Sequence, residues 1–327
     1  MLRFVFSAED MARTRFAISP LWETVMAVRT LAGADPDGVH RRWTAEVRPR
    51  LAAARLDLAP LHALLPLTST VVPGFLCPTP STSAPTLDLE LAAVRATAPE
   101  RILTRQPEAR ATIAALRADP VAGLDGLCRL IEEFWELALA PYWPRVQTLL
   151  EADVQYRARR FAEGGAHALF ADLHPDVSWH EGVLTVDHRV LSGAREPGGR
   201  GLLLVPSAFA HPRLFSTLDG AERQILRYPP RGIGTLWEAA PTAAPEALAA
   251  LVGRTRARLL AELTAPVSTT DLARRTGVTP GGVSQHLGVL RAAGLVSSHR
   301  AGREVRYART RAAESLLRAA SSAPAAR

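Results

Sequence analysis

The stretch that most narrows what this chain can fold into is Ser268 to Ala308, STTDLARRTGVTPGGVSQHLGVLRAAGLVSSHRAGREVRYA. It sets two short helical patterns around a tight turn and follows them with two alternating strands. Thr269 or Thr270 is placed to cap the first helix, because a side-chain oxygen there accepts a hydrogen bond from an unsatisfied N–H of the first turn. Gly277 stops that helix in the left-handed conformation that closes it at little cost. Thr279 and Pro280 restart the chain as N-cap and first helical residue, where the N–H that proline lacks is not needed. The second helix runs to about Ala293, with Val283, Leu287, Leu290 and Gly294 in one inward stripe. Its opposite side is Gly281, Gln285, Gly288 and Ala292, flanked by Ser284 and Arg291. That face reads as small or hydrogen-bonding, with no large apolar group, and suits the major groove of DNA.

After the helices, Leu295-Val296 begins the first strand and Ala301-Gly302 joins it to the second. Val305 and Tyr307 alternate inward, which leaves Arg300, Arg303 and Arg306 near the tip or on the outer face. Arginines in that position can straddle phosphates or enter a minor groove. Each piece alone has an ordinary structural reading, since arginine runs are commonly solvated surface and T-P-G-G is a common helix start. Their occurrence in this order within one short segment is what favours nucleic acid.

The segment V-S-Q-H-L-G-V-L-R-A-A-G-L-V, Val283 to Val296, followed by a basic hairpin, resembles the recognition helix and wing of ArsR-type bacterial repressors. The resemblance covers about Ala247 to Leu317, under a quarter of the chain. It implies a winged helix-turn-helix that binds double-stranded DNA as a homodimer and reads an inverted-repeat operator. Ser284, Gln285 and His286 would then touch DNA from the helix, with Thr279, Gly281 and Arg291 beside them, and Arg300, Arg303 and Arg306 from the wing. Gln285 is the expected base reader, since glutamine can pair bidentately with adenine. His286 lies nearer the buried stripe, where structural and phosphate-contacting roles both stay open. One departure matters. Metal-sensing members carry Cys-x-Cys-Asp-Leu before the recognition helix, and aligning Asp271-Leu272 places Ser268 and Thr270 where the thiolates would be. The last helix, Arg311 to Ala320, has Glu314 but no histidine, so neither metal nor cofactor is expected.

Charge distribution supports the same reading. The chain has no lysine, and all 39 basic residues are arginine. This reads as the codon bias of a GC-rich bacterial genome, so abundance alone says little. Position says more: Ala250 to Arg327 holds 13 arginines and 4 acidic residues, whereas the rest holds 26 and 28. Codon bias would spread the charge evenly; attraction to phosphate would gather it. Cys77 and Cys128 are too few for a disulfide scaffold and read as buried structural thiols. No apolar run is long enough for a signal peptide or a membrane span, so a cytoplasmic protein without membrane contact is expected.

The preceding residues read as α+β: a mostly helical domain with a small antiparallel sheet. Phe4 to Phe6 suggests a strand before a helix boxed by Ser7 and Asp10. Ser19-Pro20 starts a helix that ends at Gly33, and another runs from about Pro36 to Ala54. The Pro- and Ser-rich stretch between Pro66 and Pro85 reads as a loop partly docked through Val71-Val72 and Phe75-Leu76. Helical patterns return over Leu87 to Ala96, Pro107 to Ala118, Leu124 to Ala140 and Pro141 to about Leu173. The aromatic group Phe134, Trp135, Tyr142 and Trp143 is assigned to the core, with a ligand-pocket wall as the alternative. From Val177 the period becomes two. A hairpin turns at Glu181-Gly182, strands follow at Leu202 to Val205 and Gln224 to Tyr228, and Gly232 to Trp237 is a candidate fifth. His167, His174, His180 and His188 fit no ligand spacing and read as surface or structural. Gly198-Gly199-Arg200-Gly201 precedes a strand, which argues for a hairpin connection over a phosphate loop.

The expected organisation is an α+β sensor or dimerisation domain over 1–240, a linker over 241–245, a winged helix-turn-helix over 246–320 and a disordered tail over 321–327. The helix of that last domain spans Glu246 to Leu263, with Leu248, Leu251, Val252, Leu259 and Leu260 inward. The functional expectation is a transcriptional regulator, a repressor by resemblance, whose larger part senses a small-molecule effector or a partner. The alternatives are an enzyme with a catalytic N-terminal domain and an appended winged helix, or a protein-docking winged helix. The first needs converging titratable groups, and the second needs an apolar or acidic outer helix face.

Overall fold

The computed structural model describes residues 1–104, 106–187, 191–216, 223–237, 246–264, 266–301 and 304–322. They fall into two compact units, 1–237 and 238–327. The linker expected over 241–245 lies outside the described residues, as do His188 and Arg303.

The N-terminal unit starts with β1 (Leu2–Val5), α1 (Ala8–Ala12) and β2 (Arg15–Phe16). Ser7 and Asp10 form the anticipated capping box on α1, each satisfying the other's backbone N–H. Next come α2 (Pro20–Ala32), α3 (Arg41–Ala54), α4 (Ala59–Leu64), α5 (Leu87–Arg95), α6 (Arg110–Ala118), α7 (Pro120–Ala138) and α8 (Trp143–Phe170). Ser19 caps α2 and Gly33 closes it in the left-handed region at φ 119°. Although its apolar residues suggest one buried face, α2 is buried on nearly every side, because α3, α4, α5 and α7 pack around it. The loop before α5 docks as expected, with Val72, Phe75 and Leu76 in the helical core.

Among the described residues, six strands follow the helices in the order β3 (Val177–His180), β4 (Val183–Val186), β5 (Gly193–Arg195), β6 (Leu202–Pro206), β7 (Phe215–Ser216) and β8 (Gln224–Tyr228). With β1 and β2 they form two four-stranded sheets, ordered β3-β4-β1-β5 and β2-β6-β8-β7. The α+β class stands. The antiparallel part is β3-β4-β1 together with β7-β8, while β1-β5, β2-β6 and β6-β8 run parallel. The β3-β4 hairpin turns at Glu181-Gly182, both with positive φ, as a two-residue turn requires. Strand β6 is an unbroken apolar run because both its faces are covered. Leu202 and Leu204 enter the core shared by the two sheets, and Leu203 and Val205 meet Ala17 and Ile225 on the other side.

Several expectations change. Gly232 to Trp237 is a 3-10 turn rather than a strand, with Leu236 and Trp237 packed on the helical core. The glycine-rich 198–201 segment joins β5 to β6, which belong to different sheets, so it is not a hairpin. There Gly201 has φ 69°, and a Cβ would stand 2.4 Å from the Arg13 carbonyl carbon. The helix expected from Pro141 to Leu173 breaks at Gly164 and Gly165, and the turn beyond the break carries Leu169 and Phe170 into the sheet core. Fully buried Arg157 braces this segment by pairing with the Asp172 carboxylate and donating to the Asp172 carbonyl at 3.0 Å. Of the aromatic group, Phe134 alone is fully buried; Trp135, Tyr142 and Trp143 are half-buried at its margin. Cys128 is buried and Cys77 half-buried.

The C-terminal unit comprises α9 (Glu246–Val252), α10 (Arg254–Glu262), β9 (Val267–Ser268), α11 (Thr269–Thr276), α12 (Pro280–Ala292), β10 (Val296–Ala301), β11 (Glu304–Arg309) and α13 (Arg311–Ser322). The single helix expected from Glu246 to Leu263 is two, because Gly253 at φ 87° interrupts it. Leu251, expected inward, is 70% exposed as a result, while Leu248, Leu259 and Leu260 are buried. Ser321 and Ser322, expected in a disordered tail, close α13, and 323–327 lie outside the described residues. No helix among the described residues is long and apolar enough to cross a membrane.

Two buried carboxyls make the stability of the N-terminal unit depend on pH. Glu23 accepts hydrogen bonds from the Ala208 and Phe209 N–H groups at 3.1 and 3.0 Å, and Glu90 from Ser19 Oγ and the Leu21 N–H at 2.6 and 2.8 Å. Burial outweighs these bonds and pushes each carboxyl from the ordinary 4.5 up to about 7. Burial likewise pushes His40 from 6.5 down to about 4. Folded carboxyls that hold protons longer than unfolded ones lose stability as pH rises from 4.5 through about 7, whereas the His40 contribution has the opposite sign and ends at 6.5. Denaturant unfolding should therefore show stability falling by about 1 to 2 kcal/mol between pH 6.5 and about pH 8. Glu23→Gln combined with Glu90→Gln should flatten that slope.

Candidate nucleic-acid interface

The C-terminal unit is built around one apolar stripe. Val283, Leu287 and Leu290 of α12 are at most 2% exposed and meet Leu259, Leu260, Leu263, Val267, Leu272 and Val296. Gly294, read as the end of that stripe, lies past the helix in the left-handed region at φ 70° and is exposed. Ser268, rather than Thr269 or Thr270, caps α11: its hydroxyl accepts from the Asp271 N–H at 3.2 Å and lies 3.0 Å from the Asp271 carboxylate. The Ser268 side chain is thus committed to holding a helix start. Gly277, at φ 68°, ends α11, and Thr279 caps α12 by accepting from the Gly282 N–H at 3.3 Å. Among the described residues no three of His, Cys, Asp and Glu come together as a metal-binding set.

Burying the stripe turns Gly281, Ser284, Gln285, Gly288, Arg291 and Ala292 to the outside, all exposed, with Thr279 at the exposed helix start. His286 is half-buried beside them. One feature of this face was misread: Val289 is 45% exposed, so the outer side does carry an apolar group. Gly281 and Gly288 have nothing within 4 Å of where a Cβ would stand, so nothing inside the unit requires either glycine. Glycine in a helix costs about 1 kcal/mol against alanine. The helix therefore gives up stability on the face it turns outward.

The hairpin stands beside this face. Strands β10 and β11 pair antiparallel with Ser298 opposite Tyr307, His299 opposite Arg306 and Arg300 opposite Val305. Strand β9, which the sequence did not reveal, adds a third strand through Ser268 and Val267 opposite Arg306 and Tyr307. Alternation puts Arg300 on the Tyr307 side and Arg306 on the His299 side, so the two exposed arginines project from opposite faces of the ribbon. Val305 is 44% exposed, not inward, because the ribbon at that level extends past the core that covers Val296. Arg291 Nη1 reaches Ser298 Oγ at 3.4 Å and joins α12 to β10. At the base, Arg309 donates to the Ala261 carbonyl at 2.6 Å and Thr310 to the Gly294 carbonyl at 2.7 Å. Burial lowers the pKa of Arg309, and its bond to the Ala261 carbonyl commits this arginine to the fold.

Residues 251–299 match a family model described as a helix-turn-helix domain. The C-terminal unit is a helix-turn-helix domain. Residues 82–233, within the N-terminal unit, match a second model described as a family of unknown function, DUF5937. No curated protein and no solved structure matches the chain. The helix-turn-helix match suggests a DNA-binding transcriptional regulator. Of the residues expected at the interface, α12 brings together Thr279, Gly281, Ser284, Gln285, His286 and Arg291, and the hairpin adds Arg300 and Arg306. If Gly288 is dispensable to the unit, Gly288→Ala should protect the amides of α12, slowing their hydrogen exchange by about fivefold.

Proposed function

We propose that this chain represses transcription as an ArsR-type regulator that lacks the family's metal-thiolate site. It binds an inverted-repeat operator in double-stranded DNA as a homodimer, and its N-terminal unit senses a small molecule or a partner. The observation that carries this reading is the outer face of α12. Apart from Val289 it is small and hydrogen-bonding around Gln285, and it has open space over Gly281 and Gly288 and an arginine-bearing ribbon beside it. A helix face of that character can approach base edges closely while the ribbon holds phosphates. The concentration of arginine in this unit supplies the attraction that brings it to DNA.

In this reading Gln285 reads a base and Ser284 lies beside it. Thr279, Gly281, His286 and Arg291 flank the groove contact, and Arg300, Arg303 and Arg306 hold the backbone. The remaining hydroxyl proton of Thr279, whose oxygen accepts the cap bond, is directed to a phosphate.

Selection of genomic fragments with the purified chain yields the operator, and binding to that site then tests each role. Gln285→Ala should lose discrimination at one base position. Arg300→Ala should weaken binding to all duplexes alike and make the salt dependence shallower by about one unit. Gly288→Glu, which meets nothing inside the unit, should leave the fold intact and cut affinity by more than about tenfold. Unchanged affinity in all three variants would remove α12 from the interface.

A further inference from the structure

The N-terminal unit contains a cavity of about 440 Å³. It is walled by the starts of α2 and α5, the end of α7 and the start of α8, and its size falls in the range of small-molecule sites. Glu132, Trp135 and Glu136 are spaced i, i+3 and i+4 on α7, so one face of that helix presents an indole between two carboxylates. The chain then folds back, and Trp143 brings a second indole with its ring centroid 5.0 Å from that of Trp135, the planes inclined at 59°. Asp88, in the first turn of α5, supplies a third carboxylate, and Ile18, Pro20, Pro85 and Leu87 give the apolar remainder.

The charge of this lining has one sign. Glu132 is answered by Arg95 at 2.8 Å, but Asp88 and Glu136 form no ion pair among the described residues, and no arginine or histidine lines the cavity. Two half-buried indole faces near unanswered carboxylates form a place where a cation gains twice, from the ring quadrupoles and from the negative charge. An anion would be repelled, and a neutral apolar body would gain only from the walls. The tryptophans also sit apart from the packing they resemble in sequence, since neighbouring Phe134 is wholly buried while both indoles remain accessible.

We infer that this cavity binds an organic cation, with a quaternary or otherwise delocalised positive centre over Trp135 and Trp143 and an apolar body against Ile18, Pro85 and Leu87. The inference gives chemical content to the sensing role proposed above and depends on that reading only for its consequence at the operator. Binding of the cation can be read without DNA, so the two can fail separately.

The test titrates the full chain with benzoylcholine and with its uncharged isostere 3,3-dimethylbutyl benzoate, following tryptophan emission and heat. Saturable binding of the cation, about tenfold or more tighter than the isostere, is expected. Asp88→Asn combined with Glu136→Gln, both at exposed positions, should bring the cation close to the affinity of the isostere while leaving the isostere unchanged. Trp135→Leu should weaken the cation more than the isostere. Equal affinity for the two compounds, no saturable binding of the cation, or unchanged cation affinity in the carboxamide variant with circular dichroism intact would each overturn the inference.

Discussion

The C-terminal unit depends on a single burial. Val283, Leu287 and Leu290 can be hidden only together, because they share one side of α12, and hiding each is worth roughly 1.5 to 3 kcal/mol. That gain exceeds the cost of the glycines in the same helix, so the stripe fixes the rotation of α12 about its axis. The outward placement of Ser284 and Gln285 follows from what is buried behind them. The presented surface is in this sense the remainder left by the core.

Much of this was legible in the sequence because it rests on local chemistry. Gly277, Thr279, Pro280 and the Glu181-Gly182 turn announce themselves through conformations or caps that few other residues supply, and the unbroken Leu202 to Val205 run marks a strand covered on both faces. What escaped depends on distant partners. Ser268, Thr269 and Thr270 offer the same capping oxygen, and pairing of β9 with β11 decides for Ser268. Strands β2 and β7, two residues each, show no period at all. Gly253 resembles a tolerated helical glycine until its φ is known, and Leu251 was assigned to the wrong side for that reason. Val289 and Val305 show the opposite limit, where a pattern continues past the edge of the core that would have rewarded it.

The N-terminal unit was harder to read because its organisation is carried by buried polar groups. Glu23 gathers the N–H groups of a segment 185 residues away, and Glu90 ties α5 to the start of α2. Arg227 lies over the Trp22 ring at 4.2 Å. Each is an ordinary charged residue in the sequence, and only the fold shows that its charge is spent inside. The aromatic group of α7 and α8 illustrates the same point on the surface side. Of four rings close in sequence, Phe134 enters the core, Trp135 and Trp143 line the cavity and Tyr142 packs edge-on to Trp237, a division that composition does not encode.

The bonds at the base of the hairpin have a mechanical consequence. Arg309 pinned to the last turn of α10, Thr310 to Gly294 just beyond α12, and Arg291 to Ser298 leave helix and ribbon little room to shift against each other. A reader of this build behaves as a stiff tool. Under the function proposed above, a signal would govern it by changing where and how often it is offered to its target, because the shape it offers is already set.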